Sequence, residues 1–129
     1  MLFIRPLNLI ALSLLTSSLS FSATAEDKFI NFPEQPLQQG RALWIENCQG
    51  CHAYGTAGAP IPMIASEWEQ RVIKQRSTLY DHAINGFFGP DDTMMPERGG
   101  NPGLSDHQVK LAVDYMLKLA NFYIDKAGN

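Results

Sequence analysis

The pentapeptide CQGCH, Cys48 to His52, decides how the rest of this sequence is read. It contains both cysteines of a 129-residue chain, two residues apart, with a histidine directly after the second. A disulfide across so small a loop restrains the unfolded chain little, so the pair makes a poor structural staple. The same spacing lets two thiols form thioether bonds to the vinyl groups of a haem, while the adjacent imidazole reaches the iron from that side. Three other readings compete. A thioredoxin-like redox pair requires a strand before it and a βαβ context. A structural zinc site requires a fourth ligand, which His82 or His107 would have to supply. The third is the bare disulfide.

The compartment favours the haem. Arg5, the apolar run Leu7 to Leu15 and Ala23-Thr24-Ala25 before Glu26-Asp27 have the order of a secretory signal, cleaved after Ala25. A membrane anchor is the rival, but the run is short and polar at Ser13, Thr16 and Ser17, where a span requires about 20 apolar residues. The expectation is therefore a periplasmic protein with residues 1–25 removed, 26–36 as an extended lead-in and 37–129 as one domain. Removing 25 of 129 residues leaves 104, and losing Arg5 leaves nine Lys+Arg against thirteen Asp+Glu, a shift from −3 to −4. That balance disfavours a phosphate backbone, so nucleic acid is not expected as a partner. No later segment is apolar enough to span a membrane, and the mature chain is expected to be a monomer.

Beyond the motif the periodicity is helical throughout, and no strand pattern, repeat or low-complexity tract is present. Leu37, Gly40, Ala42, Leu43, Trp44 and Ile45 predict a first helix ending near Cys48. Tyr54 to Pro62 is a Gly-, Ala- and Pro-rich loop. Ser66 with Glu69, and Thr78 with Asp81, have capping-box spacing and predict a second and a third helix, the latter stopped by Asn85-Gly86. Phe87 to Gly103, rich in proline and glycine, predicts a long irregular loop of the kind that is usually functional. Ser105 with Gln108 caps a last helix carrying Val109, Ala112, Val113, Met116, Leu117 and Ala120. The fold class is all-α, with about four helices, too few to enclose a core without a staple, metal or cofactor.

Read with these elements, the chain resembles class I cytochrome c over nearly all of its mature length. The resemblance lies in GRALWIENCQGCH, where Gly40 and Trp44 precede the first cysteine by eight and four residues. It is closest to the short bacterial c-five type through Ala57-Gly58-Ala59-Pro60, Trp68, Met95-Pro96-Glu97-Arg98-Gly99-Gly100 and Leu104-Ser105-Asp106. Two departures are Glu97, where a second proline is common, and the absence of an extra cysteine pair after the glycines. The resemblance implies the cytochrome c fold around one covalently bound haem c. It also implies crossing of the first and last helices at Gly40 and Trp44, facing Ala112 and Tyr115.

Cys48 and Cys51 are then the thioether attachments and His52 the first axial ligand. The second could be Met63, Met94, Met95, Met116, His82 or His107. Met116 falls on the buried face of the last helix, Met63 sits too soon after His52 for an easy path, and the two histidines fall at helix starts or surfaces. The loop after Phe87 is distant enough to wrap a haem and contains Met94 and Met95. The resemblance implies the methionine directly before the proline, Met95, with Met94 as second choice. It likewise implies the Pro60 carbonyl as acceptor for the His52 ring N–H and Trp68 as donor to a haem propionate, with Arg71 and Arg98 as further candidates.

These readings converge on a one-electron carrier cycling Fe(II)/Fe(III) between redox partner proteins, with small residues Ala53, Gly55, Ala57 and Ala59 at a docking patch, and no catalytic residues. The alternatives are a haem protein with a displaceable methionine acting on peroxide or another small ligand, and a haem subunit of a larger oxidoreductase.

Overall fold

The computed structural model describes residues 28–129, and the expected signal and cleavage site lie outside them. The helices are α1 (Gln35–Asn47), α2 (Gln49–His52), α3 (Ala65–Val72), α4 (Arg76–Asn85) and α5 (Asp106–Ala127). The class is all-α, as expected. The added element is α2, a single turn formed by the CQGCH motif itself, which continues from α1 with only Cys48 between them.

Contacts between α1 and α5 dominate the fold, with α3 and α4 also packed on α5. The crossing works because Gly40 has no side chain: a Cβ there would lie 2.2 Å from the Leu111 carbonyl oxygen and 3.1 Å from Tyr115 Cβ. Trp44 and Tyr115 fill the space beside it, both wholly buried, with ring centroids 5.7 Å apart. The Trp44 indole N–H donates to Met116 Sδ at 3.2 Å.

The residues before α1 do more than lead in. Phe32 is buried, and Phe29 meets Trp44 edge-on at 5.2 Å. The Tyr115 and Tyr123 hydroxyls donate to the carbonyls of Ile30 and Lys28, and Arg41 Nε donates to that of Phe29. Composition hid this strap, because Pro33 and Pro36 punctuate it. Pro36 in fact sits in the first turn of α1, where a missing N–H is harmless.

Two predicted capping boxes do not form. Ser66 lies inside α3, which begins at Ala65 after extended Ile64, because a turn from Ile61 to Ile64 already delivers the chain in helical register. Glu67 Oε2 instead accepts from the Ile61 N–H at 2.7 Å, fastening the preceding loop to the helix. α4 likewise begins at Arg76, before Thr78, and Asp81 accepts from the Asn85 side chain. The third box is present: Ser105 Oγ accepts from Gln108 N and Gln108 Oε1 accepts from Ser105 N. Gly86, at φ 84°, stops α4 as predicted, in a conformation that a Cβ would strain.

The segment from Phe87 to Gly103 is less irregular than expected. Phe87–Phe88 (β1) and Met94–Met95 (β2) form a minimal antiparallel pair, with Phe87 opposite Met95 and Phe88 opposite Met94. Pairs this short carry no periodic pattern, so sequence alternation could not reveal them.

Candidate metal centre

α2, the loop 55–60, α3, α4 and the β1–β2 hairpin surround one cavity whose walls are mainly apolar. The single turn of α2 places His52 and Cys51 on its wall. Cys48 opens into a small adjoining recess that it shares with His52 and Met95. His52 is only 6% exposed, and its Nδ1 lies 2.9 Å from the Pro60 carbonyl oxygen. A carbonyl can only accept, so Nδ1 carries the proton and Nε2 keeps a free lone pair. Burial holds the imidazole below the usual histidine range, the Arg71 charge adds to this, and the Pro60 bond opposes it. Neutral imidazole is the form that binds a metal.

Cys48 and Cys51 are not joined in a disulfide. Burial, with the neighbouring Cys51 adding to it, pushes the Cys48 thiol up to about 11. Redox dithiols depend on a depressed thiol pKa, so this environment argues against the thioredoxin-like reading. Among the described residues no three His, Cys, Asp or Glu side chains gather as a metal site, which removes support for zinc. His107 is exposed in the first turn of α5 and far in sequence from the motif.

The methionines separate clearly. Met116 lines the cavity, but its sulfur already accepts the Trp44 indole N–H. Met63 packs against the core and does not line the cavity. Met94 and Met95 both line it, on opposite faces of the hairpin because side chains alternate along a strand. Met95 is half-buried against the core and also reaches the recess beside His52 and Cys48. Met94 is 53% exposed.

Trp68 lines the cavity and is 3% exposed, and its Nε1 is the buried side-chain polar atom left without a partner among the described residues. An unpaired buried N–H typically costs about 1–3 kcal/mol, so it marks a missing acceptor. A haem fits this donor set: thiols at Cys48 and Cys51, a free imidazole nitrogen, thioethers, apolar walls, and an orphan N–H where a propionate carboxylate can accept. Arg71 and Lys74 also line the cavity, and the Arg71 guanidinium donates to the Glu67 carbonyl. Arg98 borders the adjoining recess rather than the main cavity, donating to Leu104 O at 2.9 Å and pairing with Asp106 at 2.7 Å.

Sequence reasoning named His82 as an alternative ligand at a helix start or surface, and did not single out Phe87 or Thr93 as wall residues. His82 lies in the last turn of α4, stacked on Phe87 with centroids 4.1 Å apart. Its spacing from Leu79 and its place beside Ala83 were the available signal, since both line the same cavity.

A family model described as "Cytochrome C oxidase, cbb3-type, subunit III" matches residues 35–116, which hold every cavity residue named above. Three curated relatives bear the name cytochrome c-555. That of Prosthecochloris aestuarii is 38% identical over 84 residues, covering 63% of this chain and 85% of the relative. That of Chlorobaculum tepidum is 38% identical over 78 residues, 60% of this chain and 71% of the relative. That of Chlorobaculum thiosulfatiphilum is 37% identical over 78 residues, 60% and 90%.

Proposed function

Because this chain belongs to the cytochrome c family, we propose that it is a periplasmic one-electron carrier with His52 and Met95 as the axial ligands of its haem. Family membership itself makes it a haem electron-transfer protein with one covalently bound haem c rather than an enzyme. When bound, the haem supplies an iron that gains or loses one electron without making or breaking bonds in a substrate.

The chain's own residues do the rest. Cys48 and Cys51 tether the group to α2, and the Pro60 carbonyl fixes the His52 ring so that Nε2 points at the metal. Pairing with Phe87 holds the Met95 backbone, and Pro96 behind it stays extended at φ −67° and ψ 151°, which limits the freedom lost when the thioether is engaged. The Trp68 Nε1–H, buried and without a partner among the described residues, would donate to a haem propionate. Ala83, Val113 and Met116 close the apolar wall, and keeping water out sustains a high potential. Export is supported by the order of residues 1–27, and no helix among the described residues is long and apolar enough to cross a membrane.

The observation carrying this reading is that one cavity holds a buried imidazole, already engaged through Nδ1, together with the half-buried Met95. The test is the weak far-red band that a ferric iron shows with a thioether ligand. Met95→Ala is expected to abolish it and to lower the reduction potential by an appreciable part of the roughly 0.8 V over which axial ligands tune haem iron. Met94→Ala and His82→Ala should retain the band. Retention in Met95→Ala with loss in Met94→Ala would overturn the assignment.

A further inference from the structure

The proposed ligand pair leaves His82 unused, although its imidazole lines the same cavity as His52 and Met95. The ring is half-buried, and neither nitrogen has a hydrogen-bond partner among the described residues. The other donors on that wall are engaged or turned away. Met116 Sδ accepts the Trp44 indole N–H, and Met94 lies on the outer face of the hairpin. Lys74 is exposed, and an ammonium has no lone pair to give a metal. His107 does not line the cavity.

What holds His82 is the element that carries Met95. Its ring lies on that of Phe87, with centroids 4.1 Å apart and planes 20° from parallel. Phe87 is the residue directly opposite Met95 in the β1–β2 pair. A movement that lifts Met95 therefore takes Phe87 off His82 as well. Gly86 alone joins the end of α4 to β1, so the hairpin can swing there while His82 stays with its helix.

The two carriers are unequally anchored. Each hairpin strand is two residues long and contacts the other more than any further element, and Phe88, Asp91 and Asp92 stand exposed toward the tip. By contrast, α4 packs on α5 and on the turn Glu97–Gly100. Segments with few buried contacts open at lower cost than helices packed on the core.

We infer that His82 is a reserve axial ligand: with the hairpin closed, Phe87 holds its ring aside and Met95 binds, and with the hairpin lifted, the freed imidazole takes the position that Met95 leaves. This rests on the His52/Met95 reading and adds a second ligation state to the same site. In the exchange one metal–sulfur bond breaks and one metal–nitrogen bond forms. Neutral His82 gives a ring-nitrogen lone pair and keeps the proton on its other nitrogen, so no electron or proton is gained or lost. A thioether raises the potential relative to a second imidazole, so by reciprocity the ferric protein favours His82 more than the ferrous protein does. The exchange also keeps water and small ligands off the metal when the thioether withdraws.

Ferric Met95→Ala holoprotein is expected to be low-spin at neutral pH by electron paramagnetic resonance, with the near-infrared magnetic circular dichroism of two nitrogen ligands. Adding His82→Phe keeps an aromatic ring against Phe87 but removes both nitrogens, and should give a high-spin form. A high-spin Met95→Ala protein, or a low-spin signal that survives His82→Phe, would overturn the inference.

The coupling is read with Met95 in place. Phe87→Ala removes the ring that holds His82 aside and should raise the His82-bound fraction of the ferric protein about two- to tenfold, the range that one aromatic pair is worth. His82→Phe in the same chain should restore the thioether-bound spectrum. An unchanged spectrum in Phe87→Ala, or a change that His82→Phe does not reverse, would equally overturn it. A far-red band persisting in Met95→Ala would instead mark failure of the Met95 assignment, and Phe87→Ala with and without His82→Phe then decides the role of His82 by itself.

Discussion

A chain with Cys48→Ser and Cys51→Ser is expected to be recovered without bound haem and without a cooperative unfolding transition. The physical reason lies in what the helices enclose. α3 and α4 pack on α5, yet together with the hairpin and the α5 residues Val113, Met116 and Leu117 they also wall the cavity, and the α1–α5 crossing makes the most extensive contact in the fold. A single domain has only about 5–15 kcal/mol of stability, a small difference between large opposing terms. Without the group that fills the cavity, the apolar wall has nothing to pack against and the orphan Trp68 N–H no acceptor. The check is haem retained through denaturation and organic extraction, with unfolding followed by far-ultraviolet circular dichroism. A sharp transition in the serine variant would mean that the helices form a sufficient core unaided.

Gly40→Ala should destabilise the holoprotein by about 2–3 kcal/mol, the upper part of the range for overpacking. Two effects oppose each other here. Alanine favours a helix interior by about 1 kcal/mol over glycine. Against that, the new Cβ would stand 2.2 Å from the Leu111 carbonyl oxygen, and a backbone atom cannot swing aside as a side-chain end can. The clash wins, and separating α1 from α5 also loosens Trp44 against Tyr115 and Met116. For a domain of this size the melting temperature should fall by roughly 10–20 °C. Gly50→Ala is the control, since a Cβ there meets nothing within 4 Å, and it should melt no lower than the parent. Unfolding of Gly40→Ala at or above the parent temperature would contradict the crossing described here.

The parts of this protein legible in the sequence are those fixed by short, rigid chemistry. CQGCH specified the cofactor, Ser105 and Gln108 specified the start of α5, and the resemblance led from GAP to the Pro60 carbonyl, 2.9 Å from His52 Nδ1. What stayed hidden depended on tertiary context. Ser66 and Thr78 have the right spacing for caps, yet the preceding turns set the helix starts earlier. The strap at residues 28–34 is held by hydroxyls more than 80 residues away, Tyr115 to Ile30 and Tyr123 to Lys28, which no local window connects.

Met94 and Met95 illustrate the same division. Their chemistry is identical and the proline alone favours one by analogy, whereas the pairing of Phe87 with Met95 gives the two thioethers different faces. A two-residue strand leaves no periodic trace, so this distinction belongs to the folded chain.

The axial pair is tested most directly by NMR of the ferrous holoprotein labelled at its methionine methyl groups. A methyl on an iron-bound thioether lies over the haem plane and is driven far upfield of every other methionine methyl by the ring current. The account predicts one such resonance, present in the parent and in Met94→Leu and missing in Met95→Leu. The absence of any upfield-shifted methyl in the parent, or its loss in Met94→Leu alone, would contradict it.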